Sequence, residues 1–284
     1  MGMSWRAGLV AAEARTYGLR GATPRMPITL DEIPAGLLLL GLTILLLGVS
    51  ELGRWLGRRS RAVGDSKEHI NVLLGAVLAL LGLMLAFSFG IVEARYQARK
   101  QLVLQEANAI GTTWLRAGLV SGPDGARLQA LLRRYAASRT PSSDEHYSES
   151  LARSKELHAE MWTTATRIAH EDTRSVTWLI IGSLNEVIDL HEERVATSLY
   201  YRLPRPILWT MVLVAALSLL VQGFSAGLGG FRSLVPTLAL IVAIAVVMWL
   251  ILELDEPWQR LAEINQQPLI DVQETMSRGV PSSP

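Results

Sequence analysis

Between Asn71 and Val92 the chain runs for 22 residues without an Asp, Glu, Lys or Arg, which as helix is enough to cross a hydrocarbon core of ~30 Å. A polar sequence follows, with no proline before Pro123, in which Val103, Ala107, Ile110, Trp114 and Ala117 recur at spacings of three and four. Together these features predict one helix, from Ile70 to Trp114 and beyond, that leaves the membrane and continues into water. Its apolar half carries Gly75, Ala79, Gly82, Ala86 and Gly90, a small-residue face that permits close contact with neighbouring helices where lipid supplies no hydrophobic drive. Its polar half is amphipathic and needs a partner.

Three further uncharged runs, Ile33 to Ser50, Pro206 to Phe231 and Ser233 to Leu252, are each long enough to span. Four such runs flanked by arginine are hard to bury in a soluble core of 284 residues. The fold class is therefore all-α: four transmembrane helices with a helical-bundle insertion between spans two and three, span two continuing into the bundle. The expected units are an N-terminal segment at 1–32, spans one and two at 33–92, an extramembrane bundle at 93–203, a hairpin of spans three and four at 204–252, and a tail at 253–284. In the first unit Arg6, Arg15, Arg20 and Arg25 surround only a short apolar piece, Gly8 to Ala12, too brief for a secretory signal. It reads as an Arg-rich targeting or surface-lying segment, or, preferred, as sequence upstream of a natural start at Met26.

The bundle follows from its periodicity. Ser121-Gly122-Pro123-Asp124 forms a turn, after which Leu128, Leu131, Leu132 and Tyr135 give a short helix its face. A third helix from Ser148 presents Leu151, His158, Met161, Ala165 and Ile168, and a fourth from Val176 presents Ile180, Leu184, Val187, His191 and Arg194. Packing against the extension of span two buries all these faces, and Leu203-Pro204-Arg205-Pro206 turns the chain back toward the membrane.

Charge bears on orientation and partners. Glu93 to Leu203 holds 14 basic and 14 acidic residues, and the whole chain has a formal charge of +1, which argues against nucleic acid as a partner. The connection between spans one and two carries Arg54, Arg58, Arg59, Arg61 and Lys67, a pattern that holds a short loop in the cytoplasm and puts the bundle outside. Arg95, Arg99, Lys100, Arg194, Arg202 and Arg205 pull the other way. Long domains translocate largely regardless of charge, so the short loop weighs more. A bacterial plasma membrane is the expected location.

The chemistry-bearing motifs exclude more than they assign. His170-Glu171-Asp172 and His191-Glu192-Glu193 invite a metal, yet no His-Glu-x-x-His or Glu-x-x-His spacing occurs, so neither a metal nor a cofactor is expected. No phosphate loop or dinucleotide glycine pattern is present and no segment reads as a strand, so no enzyme is expected. The spans carry no Asp, Glu, Lys, Arg or His within their uncharged runs, unlike proton-coupled carriers.

The polar residues inside them, Thr43, Ser88, Ser218, Gln222 and Thr237, read first as interhelical glue. A pore about a symmetry axis is the functional reading, with Asn71, Gly82, Phe87, Ser88 and Gly90 as pore or gate candidates. Glu68, His69, Glu93, Asp255 and Glu256 are candidates for the mouths or membrane interfaces. On the extension, Asn108 and Arg116 are candidates for a polar network within the bundle.

Several stretches resemble the bestrophin-like family of prokaryotic four-span membrane proteins, a domain of unknown function, over residues 65 to 260. They are Glu68-His69-Ile70-Asn71, Glu93-Ala94-Arg95-Tyr96, Glu106-Ala107-Asn108-Ala109-Ile110-Gly111-Thr112 with Arg116, Leu131-Leu132-Arg133-Arg134-Tyr135, and Leu254-Asp255-Glu256-Pro257. The resemblance implies a distant likeness to bestrophins, pentameric anion channels with four spans per subunit and a helical body continuous with the pore helix. A bestrophin's body is cytosolic, which departs from the orientation the short loop favours. Two functions follow: a homo-oligomeric ion channel in the lipid bilayer with span two lining the pore and ions as the transported species, or a non-conducting scaffold or sensor whose body binds a protein or small ligand.

Overall fold

The structure, a computed structural model, describes residues 35–60, 65–140, 147–171, 175–199, 203–229, 234–255 and 264–278. The described residues form helices α1 (Ala35–Arg59), α2 (Asp65–Ala117), α3 (Pro123–Ser138), α4 (Tyr147–Glu171), α5 (Ser175–Leu199), α6 (Arg205–Leu228), α7 (Leu234–Asp255) and α8 (Gln267–Arg278), with no strand among them. Four of these, α1, α2, α6 and α7, are long and apolar enough to cross a membrane. The N-terminal segment containing Met26 lies outside the described residues.

The 53-residue α2 is unbroken and belongs to both hydrophobic cores. In its membrane half Leu81, Leu85 and Val92 pack with Leu46 of α1, Met211, Ala215 and Leu219 of α6, and Ile241, Ala245 and Met248 of α7. In its extramembrane half Ile110 and Trp114 join Leu128, Leu132 and Tyr135 of α3, Met161 and Ile168 of α4, and Ile180 and Leu184 of α5. A helix shared by two cores transmits displacement between them, because close-packed interiors are stiff. The chain enters α3 through Gly122, whose φ of 100° is open to glycine at little steric cost, followed by Pro123 at the first helical turn.

Two features differ from the sequence expectation. The tail is not a mere tail: α8 docks on α2 and α3, burying Leu269 and Met276 in the body core. The close helix crossing also lies elsewhere than on span two. A Cβ at Gly53, Gly57, Gly223 or Gly227 would overlap the backbone carbonyl of Leu220, Phe224, Ser50 or Arg54 respectively, so α1 and α6 meet backbone to backbone through glycine. At Gly75, Gly82 and Gly90 of α2 a Cβ would meet nothing within 4 Å.

Candidate functional site

The membrane half of α2 is two-sided. Leu81, Leu85, Ser88 and Val92 are buried against the chain's own helices, and their spacing of four, three and four places them on one face. Gly82, Ala86, Phe87 and Gly90 are exposed, Phe87 at 65%. The pore and gate candidates are thereby separated: Gly82, Phe87 and Gly90 are uncovered, whereas Ser88, 3% exposed, is turned into the packed side. Asn71 accepts a hydrogen bond from the Ser225 hydroxyl at 2.6 Å, tying the start of α2 to the end of α6.

Of the polar residues read as interhelical glue, Thr43, Ser218, Gln222 and Thr237 are joined to one another or to backbone. Ser50 Oγ donates to Gln222 Oε1 at 3.1 Å, Gln222 Nε2 donates to Thr237 Oγ1 at 3.0 Å, and the Thr43 and Ser218 hydroxyls donate to the Leu39 and Val214 carbonyls.

Of the mouth candidates, Glu68 and His69 are exposed at the start of α2, Glu93 is half-buried, and Glu256 lies outside the described residues. Asp255, a candidate for a mouth or a membrane interface, is buried. Both its carboxylate oxygens accept the Leu203 N–H at 2.9 Å and one lies 3.4 Å from Arg95 Nη1, while Arg99 donates to the Leu254 carbonyl. This clamp ties the return to the membrane to α2 and the end of α7.

The body contains a polar centre that the candidate pair Asn108 and Arg116 misses. Asn108 is exposed and Arg116 Nη1 donates to the Leu179 carbonyl at 2.9 Å. The centre is Glu106, fully buried on the opposite face of α2. Its carboxylate accepts from Tyr135 Oη at 2.7 Å, from Arg139 Nε at 2.8 Å, and from Arg194 Nη1. Arg194 Nη2 donates in turn to Gln266 Oε1 at 2.6 Å, so helices α2, α3 and α5 and the segment before α8 converge on one carboxylate.

Burial pushes the Glu106 carboxyl upward, but Arg139 and Arg194, with the Tyr135 hydroxyl, more than reverse this and hold it at about 2. Burial, followed by the Glu106 charge, pushes the Tyr135 hydroxyl well above its ordinary value.

Two histidines flank the centre, with ring centroids 4.7 Å apart. Burial, then Arg139, lowers His158 to about 4, and burial, then Arg139 and His158, lowers His191 to about 3. Tyr135 has a single hydroxyl proton, donated to Glu106, so the 3.2 Å contact with His191 Nδ1 requires that nitrogen to donate. His191 is therefore the Nδ1–H tautomer and its Nε2 a buried acceptor. Local periodicity predicted the buried faces of His158 and His191; the Glu106 centre joins residues 29 to 88 positions apart, and no local pattern signals that.

A family model described as the Bestrophin-like domain matches residues 44–269. The chain belongs to the Bestrophin-like family. Among solved structures, this Bestrophin-like chain is similar to a bacterial bestrophin homologue from Klebsiella pneumoniae, with a TM-score of 0.58 and 15% identity over 86% of this chain and 96% of that one. It is also similar to a membrane protein variant, with a TM-score of 0.57 and 14% identity over 86% and 97% of the two chains. At these identities the likeness is one of fold. Among curated proteins no sequence matches it.

Proposed function

We propose that the chain assembles as a homo-oligomeric ion channel whose axis is lined by the uncovered face of α2. The observation that carries this is the one-sided packing of its membrane half, which leaves the space at Gly75, Gly82 and Gly90 open and Phe87 uncovered. Gly75, Ala79, Gly82, Ala86 and Gly90 make one side of that surface small, while Leu73, Leu80 and Ile91 stand exposed on the other, where lipid supplies dispersion contacts. Around an axis Gly90 leaves room for a path beside Phe87, which supplies an apolar constriction that gates by dewetting. Kinship with the bestrophins supports conduction.

The test is ion flux through purified protein in liposomes. Gly82→Leu should change the flux while the protein stays folded and assembled, since the added side chain meets nothing in its own subunit. Absence of flux at every pH and voltage, from protein that remains oligomeric, contradicts the proposal.

A second reading, a scaffold or sensor, has one observation in its favour. Leu115, Leu119, Trp178 and Leu179 are each more than half exposed at the far end of the body. The end of α2 at Ala117 lies ~37 Å along the helix past Val92, out of reach of the lipid that covers apolar groups in the spans. Such a patch marks a protein contact. A monomer would make that contact a foreign protein.

A further inference from the structure

The extramembrane half of α2 packs its apolar side into the body in the usual way but places its charges unusually. A helix on a soluble body turns its charges to water, but here Arg99 and Glu106 are buried and Arg95 is turned to Asp255. Every exposed position of α2 from Gln101 to Leu115 is uncharged: Gln101, Leu104, Gln105, Asn108, Thr112 and Leu115. Lys100 is exposed at the upper border of this stripe, Glu93 is half-buried above it, and Arg116 is half-buried below it. The rest of the body is different. Arg153, Lys155, Glu156 and Glu160 are exposed on α4, as are Glu186, Asp189, Glu192 and Glu193 on α5.

The stripe continues the uncovered face of the membrane half, since Gly90, Gln97, Gln101, Asn108 and Thr112 follow at steps of seven, four, seven and four. From Gln101 to Leu115 it extends ~21 Å. Burying charge is costly and leaving it in water is nearly free, so a stretch that buries Arg99 and Glu106 while exposing only uncharged side chains from Gln101 to Leu115 has something on its exposed side that charge would harm. A symmetry axis has that property. One charge there becomes a ring of like charges, which holds a counter-ion instead of releasing it. Amides present N–H donors to anions and carbonyl acceptors to cations without a fixed charge.

We infer that the stripe of Gln101, Gln105, Asn108 and Thr112 lines the extramembrane part of the ion path and keeps it free of fixed charge, so that small ions of either sign pass it. This rests on the channel reading and adds to it the residues at which ion preference can be set.

The chain has no cysteine, so Gln101→Cys and Asn108→Cys each introduce a single thiol, modified after assembly by a cationic or an anionic methanethiosulfonate reagent. The readout is the reversal potential of the reconstituted full chain in a salt gradient. The anionic adduct should raise cation over anion permeability, and the cationic adduct lower it, by ~3-fold or more each. The same adducts at Glu156→Cys, on the outer face of α4, should leave the ratio unchanged. A conducting protein whose reversal potential ignores the adducts at both Gln101 and Asn108, or responds equally at Glu156, overturns this inference alone. A wild-type protein that passes no ions removes the channel reading, and the inference with it.

Discussion

Glu106 is the residue on which the body depends most. One buried carboxylate neutralises parts of two arginines, Arg139 just past the end of α3 and Arg194 on α5, and removing one partner from a buried ionic cluster leaves the others uncompensated. Glu106→Gln should therefore destabilise the body by ~3–5 kcal/mol, read as a fall in the midpoint of thermal unfolding in detergent. The histidines set the response to acid. Their folded values, about 4 for His158 and about 3 for His191, lie below the ordinary 6.5, so the unfolded chain binds more protons as pH falls and stability declines from pH 6.5 downward. Glu106, lowered from 4.5 to about 2, adds a further loss as pH falls through that lower window. Replacing both histidines with Gln should flatten the decline between pH 6.5 and 4, measured by denaturant unfolding at a series of pH values. Asn108 shows why the sequence alone missed this centre: it stands two residues from Glu106, which on a helix puts it on another face.

At the scale of elements, α2 was legible throughout, because an uncharged run followed by a period of three and four needs no tertiary information to read as one helix. The α1–α6 crossing was not. Gly53 and Gly57 stand where span one turns polar, and Gly223 and Gly227 stand where span three approaches its turn. Only the fold shows that these pairs meet. Small-to-large substitutions separate the two kinds of glycine: Gly223→Leu forces a side chain into the α1 backbone and should cost ~3 kcal/mol or more, whereas Gly82→Leu should leave the melting temperature unchanged. Helix α8 was missed although Leu269, Val272 and Met276 carry a helical spacing of their own. Twelve residues are too few to be a stable helix unaided, and the docking against α2 and α3 that stabilises α8 is a tertiary fact.

At the scale of the whole molecule, two uncovered surfaces need a neighbour: the small face of α2 within the membrane and the apolar patch around Trp178 beyond it. A ring of identical subunits places the first around an axis and gives the second a partner of the same kind. The most direct measurement is the oligomeric mass of the detergent-purified protein by native mass spectrometry. A closed ring of four or more copies is the predicted result. A monomer or a dimer would leave α2 without an axis to line and would contradict the channel.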